Sequence, residues 1–309
     1  MMCRETDEGA VPALEICNSL RRSIPAGGCP ATVHSVFDRA VNLVTPLGLV
    51  TLLPKCRPLY PFSVRIDIDI PFPALGLRPD MSAMLLPGEA AAGELRVDMA
   101  DAAATDLSVL DRKELIVPHD LSDRLERLAG VIGEEGKPEG MAPLVFHLEE
   151  GSSADYAERF PHNHYTAFLL PRVRRLFDAL HTGQIVEISA AAGAMAGCGP
   201  GLTPSSDDFL CGMMAAMLAR GGARGRVLRT MDITQRMGYA ARVKTNVISG
   251  SFLVRSSQGL LSADVLDTVG QLFSNGPTQS LESAASRVIS FGETSGTDIL
   301  SGIYFGAKI

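Results

Sequence analysis

Of the six cysteines in this 309-residue chain (Cys3, Cys17, Cys29, Cys56, Cys198 and Cys211), no two form a CxxC pair and none has the spacing of a zinc site. Six are also too few for a secreted disulfide scaffold, so reduced thiols in a cytoplasmic setting are expected. No long hydrophobic run is present: the most apolar stretch, residues 209–219, falls well short of the ~20 residues a membrane-spanning helix needs. It reads as a buried helix, and no membrane partner is expected. The start of the chain carries Glu5, Asp7 and Glu8 with no apolar run behind them, which lacks the form of a signal peptide. Basic charge is short too, with 28 Lys and Arg against 35 Asp and Glu for a net charge of -7. No stretch concentrates cations as a nucleic-acid-binding face does, so DNA and RNA are excluded as partners. The densest basic spot, Arg172, Arg174 and Arg175, lies in a segment of helical period and marks its solvated face.

The chain is 46% hydrophobic, and its length exceeds what one average domain needs. Its texture changes midway. From residue 32 to about 148, short apolar or alternating runs (48–53, 64–70, 83–86, 94–99 and 144–148) sit between prolines and glycines and predict strands. In the clearest, Val64, Ile66, Ile68 and Ile70 share one face, and Arg65, Asp67 and Asp69 share the other, solvent-facing one. Residues 122–132 are an exception with helical spacing. The glycines and prolines of residues 133–143 read as a boundary or long loop. Beyond them, residues 171–180, 184–195, 205–219, 234–249, 263–273 and 280–291 carry helix-period apolar residues or alanine runs. The expected fold is α+β: a β-rich N-terminal domain, residues 1–145, followed by a mainly α-helical C-terminal domain, residues 146–309.

Two loops of the second half carry the chemistry. The first, residues 197–208, has Gly197, Gly199 and Gly201 ahead of a predicted helix start, so backbone N–H groups can converge there. With the positive end of the helix they make an anion site, to which Gly199, Gly201, Thr203, Ser205 and Ser206 contribute. The second loop, residues 292–298, places Ser295, Gly296 and Thr297 in the same way. Residues 205–212 align without a gap on residues 295–302, so that Ser205, Asp208 and Gly212 fall on Ser295, Asp298 and Gly302. This echo predicts a duplicated unit bringing two helix starts to one pocket. Ser-x-x-Asp is also a capping pattern, worth ~1 kcal/mol in its own right, but capping requires neither the glycine turn nor the echo.

Aspartates in a helix's first turn are held ionised by the dipole, so Asp207, Asp208 and Asp298 are expected to bind rather than titrate. They are candidates for accepting from a substrate amide, for holding a magnesium ion that bridges a phosphate, or for a catalytic role. Thr245 and Ser249 share a helical face and are candidates for lining the pocket, back-bonding to their own helix being the alternative. His162 and His164 lack a third spaced ligand and read as a polar loop. Cys198 has no basic partner to make it a nucleophile, and His34 reads as structural.

At Gly199 to Leu210 the chain resembles the AllH-like family, in the run Gly-x-Gly-Leu-Thr-Pro-x-x-Asp-Asp-Phe-Leu. It is similar to that family also at Thr245 to Ser249, at the Ser-Gly-Thr-Asp-x-Leu-x-Gly of Ser295 to Gly302, and more loosely at His34 to Phe37. The resemblance runs from about residue 32 to the end, with Ser206 standing where the family pattern has glycine. It implies a subunit of the oxamate carbamoyltransferase of anaerobic allantoin breakdown, a branch of purine degradation. A transferase of this kind moves a carbamoyl group between carbamoyl phosphate and a small anionic amide such as oxamate, within an assembly of several protein subunits. The alternatives are a non-catalytic subunit that binds an anionic metabolite and a magnesium-dependent hydrolase. Metal dependence of the isolated chain separates the last from the rest.

Overall fold

The computed structural model describes residues 9–148 and 156–309; Cys3, Glu5, Asp7 and Glu8 lie outside the described residues. Two compact units divide after Leu107. Residues 108–145, grouped by sequence texture with the β-rich half, fall in the second compact unit.

The first unit is a barrel. Its strands are β1 (Val11–Cys17), β2 (Cys29–Phe37), β3 (Ala40–Thr45), β4 (Gly48–Pro54), β5 (Ser63–Ile66), β6 (Ser82–Leu86), β7 (Glu89–Ala92), β8 (Leu95–Asp98) and β9 (Ala103–Thr105), with a short helix α1 (Asn18–Ser23) after β1. They run in the order β5-β4-β3-β2-β6-β7-β8-β1-β9, and β1 pairs back onto β5. That last pairing closes the sheet into a barrel, with short β9 paired only to β1. The first half of β1 pairs with β8 and its second half with β9. The interior is filled by Ile16, Val33, Leu43, Leu52, Val64, Ile66, Leu85 and Val97.

The alternation over residues 64–70 holds for packing but not for pairing. Val64, Ile66 and Ile68 are buried, yet the strand ends at Ile66 and Ile70 is half exposed. The neighbour strand β4 ends at Pro54 opposite Ile66, which leaves the ladder no partner on that side, although the Asp67 N–H still donates to the Pro12 carbonyl of β1. On the other face Arg65 pairs with Glu15, while Asp67 and Asp69 both hold Lys55 at the surface.

The second unit contains α2 (Leu121–Glu135), α3 (Pro143–His147), α4 (His164–Thr182), α5 (Ile185–Met195), α6 (Ser205–Ala223), α7 (Val227–Arg242), α8 (Val247–Ser257), α9 (Ala263–Leu272), α10 (Thr278–Ile289) and α11 (Ser295–Gly306). The α+β class is therefore as expected. Two elements differ. The run 144–148, expected as a strand, is helix α3: Pro143 starts it with its fixed φ, and Leu144, Val145 and Phe146 are all buried, so no alternation exposes a face. The helix expected over 234–249 is two, because Asn246 caps a fresh start by accepting from the Ser249 N–H. At the centre lies α6, buried along nearly its whole length. Among the described residues no helix is long and apolar enough to cross a membrane.

Candidate functional site

The glycine loop before α6 is tied down from within. Gly197, Gly199 and Gly201 all have φ in the left-handed region, at 78°, 131° and 88°. At Gly199 a Cβ would stand 2.4 Å from the Ser205 nitrogen, so both conformation and space require glycine there. The Gly197 N–H donates to Asp207 Oδ1 (2.7 Å) and the Cys198 N–H to Ser206 Oγ (3.0 Å), while Asn246 Nδ2 donates to the Leu202 carbonyl (2.7 Å). The other Asp207 oxygen accepts from Thr245 Oγ1 (2.5 Å) and Ser249 Oγ (2.6 Å). Ser206, Asp207, Thr245 and Ser249 thus hold the loop through one connected set of hydrogen bonds. The amides of Gly199, Gly201, Leu202 and Thr203 have no protein acceptor among the described residues and remain available to a ligand.

Because Asp207 is 1% exposed and a buried carboxyl oxygen that loses a donor is left unsatisfied, Ser249→Ala is expected to lower stability by about 2 kcal/mol. Chemical denaturation checks this, and a loss under about 0.5 kcal/mol would mean that the hydroxyl does not support the carboxylate.

The two loops meet. Thr203 Oγ1 lies 3.0 Å from Ser295 Oγ, and Ser205 Oγ lies 3.5 Å from Thr294 Oγ1. From there α6 and α11 run side by side in the same direction, so close that a Cβ on Gly212 would be 2.0 Å from the Ile299 carbonyl and one on Gly302 2.0 Å from the Phe209 carbonyl. These contacts are reciprocal across the ninety-residue echo. The polar neighbours are reciprocal as well: the Ser295 hydroxyl of α11 pulls the pKa of Asp208 in α6 down, and the Ser205 hydroxyl of α6 does the same to Asp298 in α11. Two positive helix ends therefore face one place, with a carboxyl group crossing to each from its neighbour.

Asp208 and Asp298 are both buried, and each has one oxygen, Oδ2, with no hydrogen-bond partner among the described residues. Burial pushes Asp208 well above the usual carboxylate range, reinforced by the charge of Asp298, against the pull of the Ser295 and Thr203 hydroxyls. Burial likewise raises Asp298 to about 7, opposed by the Met141 N–H and the hydroxyls of Ser205 and Thr294. The expectation that helix position keeps these aspartates ionised is overturned, because the cost of removing the charge from water exceeds what the dipole returns. Cys198 is also pushed up by burial, contrary to a nucleophile's need.

A third segment, missed in the sequence, roofs Asp298. The Met141 N–H donates to its Oδ1 at 2.6 Å, and Gly140 lies so near that a Cβ would stand 2.0 Å from that oxygen. Asn163 Nδ2 holds this segment through the carbonyls of Pro138 (2.9 Å) and Gly140 (2.8 Å), and Arg159 caps the end of α2 at Gly133 and Glu134. Thr297 anchors the same segment by accepting from the Lys137 N–H, and Gly296 lets α11 approach the Val288 carbonyl. The signal available was the turn composition of residues 136–140 together with Asn163-x-x-Thr166, which forms a capping box at the start of α4.

Asp207 turns away from Asp208 and Asp298, and no group of three His, Cys, Asp or Glu side chains suited to a metal ion occurs among the described residues. His162 instead packs on the ring of His147, at 4.6 Å between centroids. His34 contacts Ser35 on an exposed part of β2.

A family model described as oxamate carbamoyltransferase subunit AllH matches residues 195–307, which span both loops and both helix starts. A second, described as the AllH family N-terminal domain, matches residues 12–105, the whole barrel. Comparison with curated proteins and with solved structures finds no match.

Proposed function

The chain belongs to the AllH family, and from that premise we propose that it is a component of a carbamoyltransferase. Its substrates are a small anionic amide of the oxamate type and carbamoyl phosphate, and it works within an assembly of several protein subunits. The observation that carries this reading is the pair of buried carboxyl groups, each with an oxygen lacking a donor, set between two positive helix ends. Both substrates are anions that bear an NH2 group. Their anionic ends suit the free amides of the glycine loop and the hydroxyls of Thr203 and Ser295, and their NH2 groups supply the donors that Asp208 and Asp298 lack.

The transfer then balances as follows. The substrate amide nitrogen attacks the carbamoyl carbon, forming an N–C bond while the C–O bond to phosphate breaks and the phosphate leaves with the electron pair. An ionised aspartate of the pair takes the proton released by the nitrogen. Positioning and charge stabilisation supply most of the rate, as expected where two small anions must be held together.

Calorimetric titration of the purified chain with oxamate and with phosphate tests the site. Asp208→Asn is expected to weaken oxamate binding at least tenfold, which corresponds to about 1.4 kcal/mol. Oxamate binding equal in both proteins sinks the assignment. Binding that is lost in the variant while the reconstituted assembly keeps full turnover favours a regulatory, non-catalytic anion site.

A further inference from the structure

At the far end of α6, some 22 Å along the helix from Ser205, a cavity of about 180 Å³ is lined by Arg220, Arg224, Arg226 and Arg229 around the apolar side chains of Leu180 and Met217. No aspartate or glutamate lines it. None of the four arginines takes part in an ion pair among the described residues. In a chain of net charge -7 that leaves carboxylates to spare, four guanidinium groups around one opening, which Ile309 also lines, with no carboxylate within ion-pair distance among the described residues, need a reason.

Helix electrostatics explain only half of them. Arg220 and Arg224 stand at the C-terminal end of α6, where the dipole favours cations. Arg226 and Arg229 stand at the start of α7, whose first turn carries no acidic residue, and there the dipole disfavours them. Two cations at a positive helix end, facing two more across a cavity, form a positively charged opening suited to an anion. Arg220 has donor capacity left for one: one of its nitrogens is bonded to the Ala307 carbonyl, but its Nε is buried without a partner.

We propose that this cavity is a second ligand site, separate from the aspartate pair, which takes a small multiply charged phosphate-bearing metabolite. The planar fork of each guanidinium matches phosphate oxygens in pairs, the start of α7 adds its dipole, and Leu180, Met217 and Ile233 offer an apolar wall to the rest of the molecule.

Pyrophosphate is the probe, titrated calorimetrically into the full chain at low and at moderate salt. Arg224 and Arg226 are exposed, so the double variant Arg224→Gln/Arg226→Gln keeps the fold, which circular dichroism verifies. It is expected to weaken pyrophosphate binding at least tenfold and to leave oxamate binding unchanged, while Asp208→Asn retains pyrophosphate binding. Wild-type protein that binds no pyrophosphate at millimolar concentration, or binding indifferent to the arginine variant, overturns the proposal. So does binding abolished by Asp208→Asn alone, which would place the anion at the aspartate site. Polyglutamate that binds to the arginines and is not displaced by pyrophosphate also overturns it, assigning the surface to an acidic protein segment.

Discussion

Asp298→Asn is expected to make the ligand-free protein more stable at pH 8 while removing most of its activity in the reconstituted assembly. The folded-state value of about 7 lies above the unfolded one near 3.8, so the folded protein holds the proton more tightly. The stabilisation this gives is complete below about pH 4 and is lost as pH rises through 7. Across that window the group alone accounts for at most about 4 kcal/mol. An asparagine mimics the neutral acid: its carbonyl takes the Met141 N–H, and its NH2 occupies the place of the unpartnered Oδ2. The variant should therefore show a flatter stability profile between pH 5 and 8, and a gain of ~2 kcal/mol or more at the upper end. Urea denaturation at the two pH values reads this directly. A variant less stable than wild type at both would mean that the carboxylate is stabilised in the folded protein by groups other than those around it here. On the proposed mechanism turnover should fall at least a hundredfold, since Asp298 is one of the two aspartates there assigned to take the proton and bind the substrate NH2.

The stability cost carried by this pair is the strongest reason to regard it as functional. Two buried acids, one raised by the charge of the other and neither in an ion pair among the described residues, weaken the ligand-free fold, whereas apolar residues of similar size would strengthen it. Serine and threonine hydroxyls from both helices blunt the cost without removing it. An arrangement of this kind suits a ligand that brings its own donors.

How far this was legible in the sequence depended on whether the signal was local. The echo of residues 205–212 in residues 295–302 announced a paired unit, and Thr203 and Ser295 do meet. The glycine loop was readable because Gly199 and Gly201 sit where left-handed backbone is needed. Thr245 and Ser249 were expected on one helical face, but Thr245 lies in the turn ahead of the Asn246 cap, and both hydroxyls serve Asp207, which only a fold could reveal, since the partner lies about forty residues away. The Gly140–Met141 roof was hidden for the same reason, as its composition reads as a linker and its partner Asp298 lies 157 residues on from Met141. For Asp208 and Asp298 helix position pointed the wrong way because burial, unlike helix position, is not written locally.

Gly302→Ala and Gly212→Ala are expected to be among the most damaging single changes in the helical unit. Alanine normally favours a helix over glycine by about 1 kcal/mol, and at Gly130 in α2, where a Cβ meets nothing within 4 Å, that gain should appear. At Gly302 and Gly212 the added carbon would press on a carbonyl oxygen of the facing helix at 2.0 Å, and backbone cannot swing aside as a side chain can. Relief requires α6 and α11 to separate, at a cost of about 3 kcal/mol or more. The separation would also pull Ser205 away from Asp298 and Ser295 from Asp208, because the same two helices carry both. A urea midpoint lowered sharply in both variants, with Gly130→Ala raised, is the expected pattern. Gly302→Ala with unaltered stability would mean that the helices are not locked at this crossing, and the reciprocal Ser–Asp arrangement would lose the scaffold that fixes it.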